Sequence, residues 1–300
     1  MEQIVDRVDP PVGRSPASLF TPAMGDKPEA DHLGELHSLA IPPKVIARVT
    51  ADPKLPPFQV VWAWTSPGYA FVSANHKGNA FYNEHGRNDQ SEVLQFTTSS
   101  LTATFDFRGA IQGGVFVARC SVNWRRIQDG KTGTTAEAEQ QFSILGDNPT
   151  KSAVRAAVGS LPLQVVAYKE SRFRQFDNAG LPLFGPPNGF GVMQLDNPRP
   201  SARQLWDWRQ NAAGGVSLFQ TKERETNQHY KNIYTAHPKA PKLSAEQLQL
   251  ALYQYYNGGW YWDLDVASNT WKKTGSVAYG DDCVRIEKLV KSGNPPGDWN

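Results

Sequence analysis

Between residues 41 and 146 apolar positions recur in short runs, often every second residue. FQVVWAW, YAFVSA, LTATFDF, GVFVARCSVNW and AEQQFSIL are rich in β-branched and aromatic residues, and TATFDF and VFVARCSVNW alternate strictly. A period of two puts alternate side chains on one buried face, and turn-prone SPG, NHKGN and QDGKTG separate the runs. Antiparallel strands are therefore predicted, arranged as a small β-sandwich-like domain. Residues 1–40 are rich in Pro, Gly and Asp with no sustained period, which predicts a flexible leader.

From GDNPTKSAVRAAVGS onward the spacing becomes helical. Thr150 or Asn148 can cap a first helix through Ala157, Gly159 can end it, and Pro162 fits the first turn of the next, PLQVVAYKESRF. Further helices are expected at SARQLWDWRQ, NAAGGVSLFQTKERETNQHYKN, SAEQLQLALYQYYNGG and DDCVRIEKLVKS. The boundary falls close to 147–150, so 41–147 reads as a β-rich domain and 148–300 as an all-α one. The expected class is α+β in two domains, and 300 residues are enough to bury two cores.

Charge and composition narrow the partners. Lys and Arg number 31 against 29 Asp and Glu, a net charge of +2, which gives no field of the kind that binds nucleic acid. Aromatics make up 11% with nine Trp, suited to a packed core or to stacking on sugar rings. Cys120 and Cys283 are far apart and read as free thiols rather than a disulfide. The N-terminal stretch has early acids and no apolar stretch of the secretory type, and no segment reaches the roughly 20 apolar residues of a membrane span, so the expected product is made in the cytoplasm without membrane insertion. His32, His37, His76, His85, His229 and His237 form no His-Glu-x-x-His pattern, no Cys-x-x-Cys occurs, and no glycine-rich phosphate loop follows a strand. Neither metal nor cofactor is expected.

Candidate chemistry lies in four segments of the helical half: ESRF at 170–173, NGFGVMQLD at 188–196, YYNGG at 255–259 and AYGDDCVRI at 278–286. Glu170 follows the apolar Leu163, Val165, Val166 and Ala167. On pattern alone it is either a solvated helix end or an acid held in a cleft. Asp196 on local pattern is a cap or Asx-turn opening the DNPRPSARQ segment. Tyr256 in ALYQYY is apolar at helical spacing, which suits core packing. No nucleophile elbow surrounds Ser171, whose hydroxyl is better placed to brace the glutamate than to attack.

In order and spacing these segments resemble the goose-type lysozyme and soluble lytic transglycosylase superfamily, over roughly 150–290. The matching elements are Glu170-Ser171, the turn Gly191-Val192-Met193-Gln194, Asn211 to Gly215, and Tyr256-Asn257-Gly258-Gly259. NGFGVMQLD and AYGDDCVRI look closest to the goose-type versions. The chain departs from the pattern at Tyr255 and Gly258, where alanines are usual, and at LFGPP, where an acidic residue is usual. The resemblance implies a lysozyme-like domain with Glu170 as general acid and Asp196 as the second carboxylate. Ser171, Gly191, Met193, Gln194, Tyr256 and Asn257 would bind or frame the glycan. A carboxylic acid must still be protonated near neutral pH to protonate a glycosidic oxygen, and apolar neighbours raise a glutamate's pKa in that direction.

The implied substrate is the peptidoglycan glycan strand, cut by a muramidase or lytic transglycosylase. Chitin on the same fold, or glycan binding without catalysis, are the alternatives. A wall-cutting domain behind a β domain, without an export signal, suggests an antibacterial effector of a type VI secretion system acting in a target's periplasm. Its expected partners are an immunity protein and a component of the secretion apparatus; a phage lysin is the competing origin.

Overall fold

The computed structural model of the chain describes residues 138–300 apart from 187 and 276, and before them 5–8, 21–22, 45–51, 58–67, 91–98, 102–105, 114–126, 130 and 132–134. Two compact units are present. One comprises Met1–Asp147, Asn178–Leu181 and Ser201–Trp206, and the other Asn148–Asp177, Pro182–Pro200 and Asp207–Asn300.

The first unit holds β1 (Val5–Val8), β2 (Thr21–Pro22), β3 (Val45–Ala51), β4 (Phe58–Pro67), β5 (Ser91–Thr98), β6 (Thr102–Phe105), β7 (Gly114–Arg126), β8 (Thr132–Thr134) and β9 (Ala138–Ile144); β4, β6, β7 and β9 fall in the runs singled out from sequence, and the other five do not. Each described pairing is antiparallel. β4 lies between β5 and β7, with Trp62 opposite Phe96 on one side and Val122 on the other. The far edge of β7 takes β9 along Gly114–Cys120 and β8 at Asn123–Arg125. β3 pairs with β1, β2 and β6. β1 and β2, of four and two residues, fall within 1–40, where segments so short leave no period to read. The strand expected at 69–74, the NHKGN turn at 75–79, and His32, His37, His76 and His85 lie outside the described residues.

Side-chain caps decide where helices of the second unit begin. The Thr150 hydroxyl accepts from Ala153 N–H and opens α1 (Lys151–Val158), which Gly159 closes at φ 79°. Pro162 lies in the first turn of α2 (Leu161–Ser171), where its missing N–H costs nothing. Val165, Val166 and Ala167 are all fully buried, so α2 runs through the interior and brings Glu170 out at its end. β10 (Phe184–Gly185) and β11 (Gly189–Phe190) then form a short hairpin.

The helix expected across SARQLWDWRQ is broken in two. α3 (Ala202–Trp206), part of the first unit, ends before Asp207, whose extended backbone and carboxylate cap a new helix by accepting from Arg209 N–H. That helix, α4 (Trp208–Ala236), continues through the next expected segment for 29 residues. α5 (Ala245–Tyr256) opens on a full capping box between Ser244 and Gln247. A hairpin of β12 (Trp262–Asp265) and β13 (Thr270–Lys273) follows, and α6 (Ala278–Lys291) comes last. α6 begins at Ala278, ahead of the expected DDC start. The C-terminal half is thus helical with two small hairpins rather than all-α, and helices with antiparallel strands make the described chain compatible with α+β. Cys283 on α6 is a buried free thiol. Among the described residues no helix is long and apolar enough to cross a membrane.

The C-terminal segment closes over α1 and α2. Trp299 packs on Tyr168 and Phe173 with ring centres 5.2 Å from each, and its carbonyl accepts from Arg155. Tyr168 donates to Asp298, and the Lys151 ammonium donates to the Asp298 carbonyl at 2.6 Å.

Candidate active site

Where α2 stops, the chain reverses through two successive left-handed residues, Arg172 at φ 57° and Phe173 at φ 64°. That conformation is costly for a residue as bulky as phenylalanine, and it persists because Phe173 is pinned against Tyr168 and Trp299. The reversal returns the backbone toward Asn148, whose Oδ1 accepts from the N–H groups of Gln175 and Phe176 at 2.8 Å. It also brings Gln175, fully buried, back beneath the Gly191 turn.

The turn Gly191-Val192-Met193 is itself buried, so its backbone polar groups need partners from the protein. Four side chains supply them. Val192 N–H donates to Gln175 Oε1 at 3.0 Å, and Val192 C=O accepts from the Ser171 hydroxyl at 2.8 Å. Met193 N–H donates to Asn211 Oδ1 at 2.9 Å, and Met193 C=O accepts from the Tyr256 hydroxyl at 2.9 Å. Asn211 reaches both sides, since its Nδ2 also donates to Phe190 C=O at 2.9 Å. Gly191, at φ 73°, leaves no room for a Cβ, which would meet Gln175 Oε1 at 2.5 Å. One turn along α4, Gly215 makes room for Met193, which would overlap any Cβ there. The spacing from Asn211 to Gly215 thus holds the turn by a hydrogen bond at one end and by close packing at the other.

α6 supplies the partner of Glu170. Gly280 N–H donates to the buried Gln254 Oε1 at 3.1 Å, and a Cβ at Gly280 would lie 3.0 Å from Leu250 C=O, so α6 lies tightly on α5 at this point. The contact fixes Tyr279, whose hydroxyl donates to Glu170 Oε1 at 2.5 Å. Burial pushes the Glu170 carboxyl up from 4.5 to about 7; the Tyr279 hydrogen bond and the Lys169 charge oppose this, and the Asp196 charge adds to it. Lys169 is held aside by Asp282 at 2.6 Å. Burial and the Glu170 charge raise Tyr279 well above its ordinary value, so it stays a donor.

Glu170 opens into a cleft of about 330 Å³, whose wall includes Gly189, Gln194, Asp196, Lys222, Tyr256 and Asn257. Of the residues singled out from sequence, Glu170, Asp196, Gln194, Tyr256 and Asn257 meet at this wall. Ser171, Gly191 and Met193 do not line it; they are buried in the frame behind it. Tyr256 is only 9% exposed, and its hydroxyl is committed to Met193, so little of it is left to stack on a ligand. Gln194, at φ 47°, donates through Nε2 to Gly191 C=O at 2.9 Å, and its Oε1 fills space that Gly185 and Gly189 leave open. It props the β10–β11 hairpin that forms one lip. Asp196 and Asn257 are exposed on the wall and accessible to a ligand.

Sequence reasoning missed Gln175, Tyr279 and Lys222. Tyr279 stood inside AYGDDCVRI, a segment already singled out, and that was the signal for it. Nothing marked Gln175, because two adjacent left-handed residues without a glycine leave no trace in a sequence. No protein-family profile, no curated protein and no solved structure matches the chain.

Proposed function

We propose that the chain cleaves the glycan strands of peptidoglycan at the β-1,4 bond between N-acetylmuramic acid and N-acetylglucosamine, with Glu170 as general acid. The observation that carries this reading is a glutamate raised to about 7, bonded by Tyr279, at the wall of an open cleft. A carboxyl near 7 keeps its proton at neutral pH and can still lose it in the transition state. As Glu170 protonates the leaving oxygen, the carboxylate that forms keeps the Tyr279 hydroxyl as donor. A module that only bound glycan would gain nothing from burying an acid at its cleft.

Asp196 lines the same cleft, and its charge acts on Glu170. In the hydrolytic branch its carboxylate activates a water, whereas in the transglycosylase branch the substrate's own hydroxyl closes an anhydro ring and Asp196 is dispensable. Mass spectrometry of products from purified sacculi separates the two: reducing muramic ends mean water attacked, and anhydro ends mean ring closure. Glu170→Gln, folded as the wild type, abolishes release in both branches; wild-type release by this variant refutes the assignment.

In this reading 148–300 is a lysozyme-like catalytic domain, and 41–147 is a β-sandwich-like recognition or adaptor module. The protein acts in the periplasm of a target bacterium as an exported effector, and its producer holds an immunity protein that blocks the cleft.

A further inference from the structure

One side of the cleft carries a cation with no task in the chemistry above. On α4, Asn211, Gly215, Leu218 and Lys222 follow one another at helical spacing along a single face. The first two hold the Met193 turn, and the last two line the cleft. Lys222 is the only Lys or Arg among the described lining residues. Its ammonium lies 4.3 Å from the centre of the Tyr255 ring. That ring stacks at 4.0 Å on Trp260, which stacks in turn at 3.7 Å on His229, with planes within 7° and 5°. The lysine therefore rests on a stiff platform of three rings, a cation–π arrangement that limits its freedom. Its side chain is 24% exposed, and its nearest carboxylate is Glu225 one turn on, at 3.8 Å, too long for a strong pair.

The neighbouring charges that shift Glu170 are those of Lys169 and Asp196. A neutral polysaccharide offers the Lys222 ammonium hydroxyl and amide acceptors but no opposite charge. We infer that Lys222 is a specificity-determining residue that receives a carboxylate of the substrate, so that the cleft selects acid-bearing glycan strands over neutral ones. The inference rests on the glycan-cleaving reading and names the substrate feature that this site reads. Two sources share the chemistry: the carboxylates of attached peptides, and the lactyl carboxylate exposed when those peptides are removed.

The test uses the full chain and four substrates: peptide-bearing strands and amidase-stripped strands, each native or with carboxylates converted to methylamides. For wild type, kcat/KM falls about tenfold on neutralising the strands whose carboxylate is read, mainly through KM. Lys222→Met shows no further fall on neutralisation, and Lys222→Arg keeps most of the wild-type preference. The arm in which the fall occurs identifies the carboxylate as peptide or lactyl. An equal fall for wild type and Lys222→Met, or no fall for wild type in either arm, overturns the inference while leaving glycan cleavage intact. A wild-type protein that cleaves none of the four substrates overturns the underlying reading and the inference with it.

Discussion

At Glu170 two opposed effects set the range in which the carboxyl titrates. Burial favours the neutral acid, whereas the Tyr279 hydroxyl favours the carboxylate, and the balance lies at about 7. Activity should therefore fall as pH rises past about 7, where the acid loses its proton. Tyr279→Phe removes a lowering influence and leaves burial unopposed, so the alkaline limb of the kcat/KM profile should move to higher pH; an unmoved or lowered limb would exclude the hydrogen bond as a control on the acid. The same shift governs stability. Unfolded Glu170 titrates near 4.5 and folded Glu170 at about 7, so its contribution to stability is whole below 4.5 and is lost as pH rises to about 7, ~3 kcal/mol in all. Glu170→Gln escapes that loss. It should unfold at higher denaturant than wild type at pH 8 and show no such advantage below pH 4.5. Glu170 itself was legible, because an acid at the end of an apolar helix and the turn segment after it both lie in plain sequence. Its partner was less so, since the Tyr279 contact depends on how closely α6 approaches α5 at Gly280.

The Gly191-Val192-Met193 turn shows how much of the site belongs to elements rather than to single side chains. Asn211→Ala would strand the buried Met193 N–H, while the Phe190 carbonyl keeps its bond from Leu195 N–H, a loss of about 1–3 kcal/mol measurable by chemical denaturation. Gly215→Ala forces a methyl group into Met193 and should cost about 1–3 kcal/mol, with reduced activity as the turn moves. Equal stability and activity in both variants would mean that the turn is not held from α4. Helix starts at Thr150 and Ser244 were legible because caps act over three residues. The break at Asp207 was not, since apolar spacing runs unbroken through LWDW and only the aspartate's bond to Arg209 N–H reveals two helices. The two hairpins in the helical half, with strands of two and four residues, carry too few positions for a period to emerge. Tyr256 had even readings as core or cleft, and it serves both by burying its ring and spending its hydroxyl on the turn.

Across the whole molecule, the C-terminal segment secures the helix that carries the acid. Trp299 is 4% exposed and contacts the two residues, Tyr168 and Phe173, that fix the end of α2. Trp299→Ala should cost about 3–5 kcal/mol and lower activity by loosening the strained reversal after Ser171, although Trp299 lies outside the cleft. No pattern near the C-terminus announces this, because packing between residues so far apart in sequence is invisible to local spacing. At the cellular scale the proposed wall target predicts lysis when the chain is directed to the periplasm of a host and none when it stays in the cytoplasm. Equal toxicity from both compartments would point away from the wall. The central claim is that Glu170 donates a proton to a glycosidic bond of peptidoglycan. The most direct measurement is release of soluble muropeptides from purified sacculi by wild type and by Glu170→Gln, with circular dichroism showing that both are folded. Wild type should release them, and the variant should lose about 10²–10⁴-fold. Release by the variant at the wild-type rate would contradict the central claim.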